Sequence, residues 1–143
     1  MQGRVPVMKP RILLVDDDAE FVELAEYNLR KQGCEVFTAG TGLQGLNLAR
    51  TQSPEVILLD LMLPDLDGFV VCEILSRQPS TRDIPVLVVS ALDGSTAATR
   101  KSKARPAGFF KKPVDFKMLA ESIWAAAEDR QALLLWKTAS KSN

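Results

Sequence analysis

An α/β fold with a doubly wound, five-stranded parallel sheet and helices on both faces is predicted for this chain by three observations. Five short apolar runs recur along it, helical patterns lie between them, and the runs lack the polar alternation of a half-exposed strand. The runs are RILLV (11–15), EVFTA (35–39), EVILL (55–59), VLVVS (86–90) and GFFKK (108–112). ILLV and VLVV are apolar on both faces, which suits a parallel sheet covered from both sides. Strand followed by helix, repeated, implies right-handed crossovers.

Each helix has its own signature. In AEFVELAEYNLRKQG the residues Phe21, Val22, Leu24, Ala25 and Leu29 fall at helical spacing, and Gly33 is a C-terminal stop. LQGLNLARTQ ends at Ser53 and Pro54, and GFVVCEILSRQ ends at Pro79. The last helix begins near Phe116, with Leu119, Ala120, Ile123, Trp124 and Ala127 as its apolar stripe. Between Asp93 and Pro106 the apolar side chains are alanines, while Arg100, Lys101, Lys103 and Arg105 crowd the segment. A helix expected there has little to bury and should be short or partner-dependent. Residues 1–10 read as an N-terminal extension, 11–127 as the domain and 128–143 as a C-terminal helical extension or linker. Leu134 continues the last helix's stripe, and Leu133, Leu135 and Trp136 broaden it.

Composition narrows the function classes. With 143 residues, 18 basic and 18 acidic side chains and 46% hydrophobic residues, one ordinary core is expected, without the charge excess of a nucleic-acid binder. Cys34 and Cys72 lack metal-ligand spacing and there is no histidine, which argues against zinc and histidine-based catalysis. They read as free core thiols. MQGRVPVMKP has no apolar signal-peptide core, and no run approaches the roughly 18 apolar residues of a membrane span, so a cytoplasmic chain without membrane partners is expected.

The chemistry gathers at strand ends. In an open parallel sheet, ligands bind beyond the carboxyl ends of the strands. Strand one runs out into Asp16, Asp17 and Asp18, and strand three into Asp60. If these strands are neighbours, the acids converge, and oxygen-only ligands suit a hard cation such as Mg²⁺. Ser90 and Lys112 close the other two ends with a hydroxyl and an ammonium, giving a site for a dianionic group with Asp60 as nucleophile toward phosphorus. Plainer readings exist for each: Asp17 as a helix N-cap, Asp65 and Asp67 as turn and N-cap residues, Ser90 as a strand end, and Lys111 in place of Lys112.

With these residues in view, the sequence resembles a response regulator receiver domain, the phospho-acceptor half of bacterial two-component signalling. The likeness covers about 11–127 and rests on VDDD, on D-x-x-x-P-x-x-x-G from Asp60 to Gly68, on SAL after strand four and on KKPVD after strand five. It implies the CheY-like, flavodoxin-like strand order 2-1-3-4-5. It also implies phosphoryl transfer from a histidine kinase or phosphotransfer protein to Asp60, and Mg²⁺ held by Asp16, Asp17, Asp60 and the Met62 backbone carbonyl. Lys112 and Ser90 would contact the phosphoryl oxygens. Ser90 and Phe109 would form the switch toward a downstream protein partner, and Lys112-Pro113 would be cis. Such a chain is not an enzyme beyond catalysing its own phosphorylation and slow dephosphorylation.

Departures and competitors sharpen this picture. Met62 and Leu92 are apolar where relatives carry polar side chains that assist hydrolysis, so slow self-dephosphorylation is expected. Phe109 has no phenolic hydroxyl, which predicts an apolar rotamer switch. Ala104–Ala107 replaces the usual Ala-Gly-Ala turn, which puts the fourth helix and its output face in question. From Gly94 through Lys112 there are six basic residues and no acid, a solvated face or a surface for an acidic partner. An aspartate-nucleophile phosphatase would want a second acid at Met62, and a flavodoxin would not offer VDDDAE to a phosphate. A receiver fold incompetent for phosphorylation, serving as an interaction module, is the alternative function. No recognition helix for DNA follows residue 127; a homodimer through the last strands and helices, or through the C-terminal extension, fits the pattern.

Overall fold

The computed structural model describes residues 9–92 and 105–141. Its elements are β1 (Arg11–Val15), α1 (Ala19–Lys31), β2 (Glu35–Ala39), α2 (Gly42–Gln52), β3 (Val56–Leu59), α3 (Gly68–Arg77), β4 (Val86–Ser90), β5 (Gly108–Lys111) and α4 (Phe116–Lys141). The five strands form one sheet in the order β2-β1-β3-β4-β5, every neighbouring pair parallel. This is the order that the resemblance implied.

The continuous apolar runs divide between two cores because successive strand residues face opposite sides. Ile12, Leu14, Leu58, Leu87 and Val89 pack with Ala25 and Leu29 of α1 and with Leu119, Ala120, Ile123 and Ala127 of α4. Leu13, Val15, Ile57, Leu59 and Val86 pack with Ala49 of α2 and with Val71, Cys72 and Leu75 of α3. β1 and β3 are therefore sealed on both faces, and only their ends meet solvent. Both cysteines are free and buried, and burial pushes each thiol up to about 11, which keeps them protonated and unreactive at neutral pH.

Local chemistry sets the helix ends. The Asp18 carboxylate caps α1, accepting from the amides of Glu20 at 3.1 Å and Phe21 at 3.3 Å. Asp18, and not Asp17, is thus the N-cap, which leaves Asp17 available to the acidic cluster. Gly33 follows α1 at φ +88°, a conformation that favours glycine. Asp67 caps α3, as its place in LPDLDG suggested. α4 runs unbroken past Ala127 to Lys141, tied by a 2.8 Å ion pair between Lys137 and Asp83. The helix expected after Asp93 lies, as far as residue 104, outside the described residues, as does the N-terminal segment 1–8. Among the described residues, no helix is long and apolar enough to cross a membrane.

Candidate functional site

The carboxyl ends of the central strands carry the charged groups. Asp60 follows β3, and its amide donates to the Val15 carbonyl at 3.0 Å, which fixes it beside the end of β1. Asp16 follows β1 and is anchored by its amide to Ala39 at 3.0 Å. Both are buried, at 2% exposure for Asp16 and 6% for Asp60, while Asp17 stands in solvent. Carboxylate oxygens of Asp16, Asp17 and Asp60 all lie within 4.8 Å of one another.

Lys112 supplies the cation. Its amide donates to the Ser90 carbonyl at 2.8 Å, holding the residue at the end of β5 next to β4. Nζ then reaches Asp16 Oδ2 at 2.8 Å and Asp60 Oδ2 at 3.4 Å, and sits 4.1 Å from the centre of the Phe21 ring. Lys111, the competing candidate, is exposed. The Lys112-Pro113 bond is cis.

The remaining predicted residues surround this group. Ser90 is fully buried, and its Oγ accepts from the Leu92 amide at 3.4 Å. The Met62 amide donates to Asp60 Oδ1 at 3.1 Å while the Met62 side chain is 56% exposed. Phe109 is half-buried and packs with Leu92 on a small cluster of Leu61, Phe69 and Val88.

The electrostatics show why a further cation belongs here. Burial raises the Asp16 carboxyl above its ordinary value, against the lowering by Lys112's hydrogen bond and the Asp18 amide. For Lys112 burial pulls downward, yet the hydrogen bond and charge of Asp16, then Asp60, leave the ammonium raised. The acids favour the ammonium, but one ammonium does not offset the desolvation of Asp16. Three carboxyl groups face one lysine, and with no histidine or cysteine in the cluster the donor set fits Mg²⁺.

Two contributors escaped sequence reasoning. Phe21 reads as one more member of the α1 stripe, and only the packing lays its face against Lys112. Asp65 reads as a turn residue, yet its carboxylate accepts from the amides of Gly42 at 2.7 Å and Leu43 at 2.9 Å across 23 and 22 positions of chain. No local pattern encodes either contact.

Comparison with known proteins agrees with this geometry. The family model of the response regulator receiver domain matches residues 12–124. Response regulator PleD of Caulobacter vibrioides is 42% identical over 112 residues, which are 78% of this chain and 25% of PleD. Protein PilH of Pseudomonas aeruginosa is 34% identical over 113 residues, 79% of this chain and 93% of PilH. The chain thus spans about a quarter of PleD but nearly all of PilH. Among solved structures, a sensor protein from Polaromonas aligns with a TM-score of 0.80 at 29% identity, over 85% of this chain and 98% of that one. The receiver domain of the sensor histidine kinase PA1611 of Pseudomonas aeruginosa, which has a magnesium ion coordinated in its active-site cleft, aligns with a TM-score of 0.74 at 26% identity, over 83% and 98%. A profile that covers most of the chain, on this sheet order, means that the chain belongs to the response regulator receiver domain family, whose function is to be phosphorylated by a kinase in two-component signalling.

Proposed function

We propose that Asp60 is the phospho-acceptor and that the buried cluster around it is the machinery of its own modification. The observation that carries this is the convergence of Asp16, Asp17, Asp60 and Lys112 at neighbouring strand ends. An Asp60 carboxylate oxygen attacks phosphorus, and the bond from phosphorus to the donor breaks: to an imidazole nitrogen of a histidine kinase or phosphotransfer protein, or to an acyl oxygen of acetyl phosphate. Asp16, Asp17, Asp60 and the Met62 carbonyl would hold Mg²⁺, which when bound offsets charge on the phosphoryl oxygens. Lys112, already within reach of Asp60, pairs with one phosphoryl oxygen, and the Ser90 hydroxyl donates to another. The chemistry is self-modification and not turnover of an external substrate.

Switching then follows as a population shift. The phosphoryl group favours the active arrangement only by contacts made there and absent from the inactive one. Ser90 and Lys112 supply that difference: turning the Ser90 hydroxyl toward the acceptor draws the loop after β4 inward, and Phe109 on the adjacent strand repacks in the space released. The output is a change of surface around β4 and β5, read by a downstream protein.

Intact-protein mass after incubation with acetyl phosphate and Mg²⁺ tests the proposal. One added phosphoryl group is expected, absent from Asp60→Asn and absent when metal is chelated. No adduct, together with no binding of beryllofluoride, would instead identify a receiver fold that works as a constitutive interaction module.

A further inference from the structure

We infer that Asp65 is a positioning residue for the metal-binding loop, joining the stretch that follows Asp60 to the amino terminus of α2; this rests on the reading of Asp60 and Met62 as metal ligands. The loop from Asp60 to Gly68 leads from the end of β3 into the first residue of α3. It is held internally by the Met62 amide on Asp60 Oδ1 at 3.1 Å, by the Gly68 amide on the Leu61 carbonyl at 3.0 Å, and by an isolated antiparallel bridge between Met62 and Asp67. These bonds shape the loop, and Leu63 and Leu66 pack its apolar side against the core beneath α2 and α3.

Asp65 adds a directional, polar attachment to this apolar packing. Its two oxygens accept separately from Gly42 and Leu43, the first two residues of α2, whose own N-cap, Thr41, serves Gln44 instead. Amides of the first turn have no partner within their helix, and the dipole adds positive charge, so a carboxylate there is doubly matched. These hydrogen bonds hold the Asp65 carboxyl below its ordinary value, although the side chain is in solvent. A second, independent feature admits the contact. Gly42 lacks a side chain where a Cβ would stand 3.1 Å from both Leu66 Cβ and Val71 Cγ2, and it is the close approach of α2 that puts its amides within reach of Asp65.

The consequence concerns the Met62 carbonyl, the one proposed ligand supplied by the backbone. A loop tied at Asp65 as well as by its apolar packing presents that carbonyl in a narrower range of positions, and without the tie part of that ordering falls to the metal. The test is a Mg²⁺ titration followed by the backbone amide resonances of Leu61 and Met62 in wild type, Asp65→Ala, Asp65→Asn and Gly42→Ala. Removing partners that orient a ligand commonly weakens metal binding by about tenfold or more; for this indirect contact Asp65→Ala should weaken it by about three- to tenfold. Asp65→Asn keeps one acceptor and should fall between. A Cβ at Gly42 presses on Leu66 and Val71 without changing any charge, so weaker binding in Gly42→Ala separates positioning from simple loss of a nearby negative charge.

Amide exchange at Gly42 and Leu43 provides the control. If Asp65→Ala loses protection there but binds Mg²⁺ as wild type does, Asp65 is a helix cap only and the inference falls. It falls equally if Gly42→Ala loses amide protection at Leu43 but leaves Mg²⁺ affinity unchanged. Failure of the wild-type resonances to respond to Mg²⁺ would remove the proposed metal site, and this inference with it.

Discussion

At the residue scale the site works through a shortage of positive charge. Lys112 is shared between Asp16 and Asp60, with the Phe21 ring against its ammonium, and in the proposed chemistry it meets a phosphoryl oxygen from there. Two separable defects should follow from this division of labour. Asp60→Asn should abolish phosphorylation, whereas Ser90→Ala should still accept a phosphoryl group but show weaker chemical-shift changes around Phe109 on phosphorylation; equal loss of the adduct in both variants would refute the assignment. A second expectation concerns lifetime. Met62 is exposed and Leu92 packs on an apolar cluster, so neither offers a polar group to the attacking water. Decay of the phosphorylated protein, followed by mass, should therefore be slow, and a lifetime of seconds would contradict it. The acids, the serine and the lysine are all readable in the sequence as strand-end residues, because the chemistry of carboxylate, hydroxyl and ammonium is carried by residue type. Phe21 and Asp65 are not, because each owes its role to a neighbour brought in from another element.

At the element scale the turn from β3 into α3 is the tightest point. A Cβ on Gly68 would lie 2.5 Å from Leu61 Cα and 2.6 Å from the Asp60 carbonyl oxygen, both backbone atoms that have no rotamer to change. Gly68→Ala should cost about 1–3 kcal/mol in urea unfolding, as overpacking does, and should reduce acceptance at Asp60 as well. The ion pair between α4 and the turn before β4 is a milder device. Lys137's hydrogen bond, foremost, and its charge, with lesser help from Arg82 and Arg130, hold the Asp83 carboxyl below its ordinary value. A depressed acid contributes stability that is complete above the ordinary value near 3.8 and is lost as pH falls through the lowered one. A carboxyl-detected NMR titration should show the Asp83 midpoint moving up in Lys137→Ala, while the neutral-pH stability of that variant changes by less than about 1 kcal/mol, since the pair is partly exposed.

At the scale of the whole molecule, one sheet with two cores forms a platform that, among the described residues, gathers its acidic cluster at the carboxyl edge. The last fully buried side chain of α4 among the described residues is Ala127, and Leu135 and Trp136 beyond it are exposed. A chain ending at Ala127 should therefore fold with nearly the same melting temperature by circular dichroism and still accept a phosphoryl group. A large loss of stability would make the distal part of α4 integral to the domain. What the sequence determined by itself was the strands, most helix limits and the identity of the acids, serine and lysine, because apolar periodicity and residue chemistry are local properties. Strand order came only through family likeness, since pairing in a parallel sheet joins segments separated by whole helices. The tertiary structure alone decided that Asp18 and not Asp17 caps α1 and that Asp65 reaches α2, and it turns inward Lys112, the lysine that the likeness implied, with Lys111 left exposed. Each of these turns on which side chain points toward a distant partner, and that direction is fixed only when the cores on both faces of the sheet close.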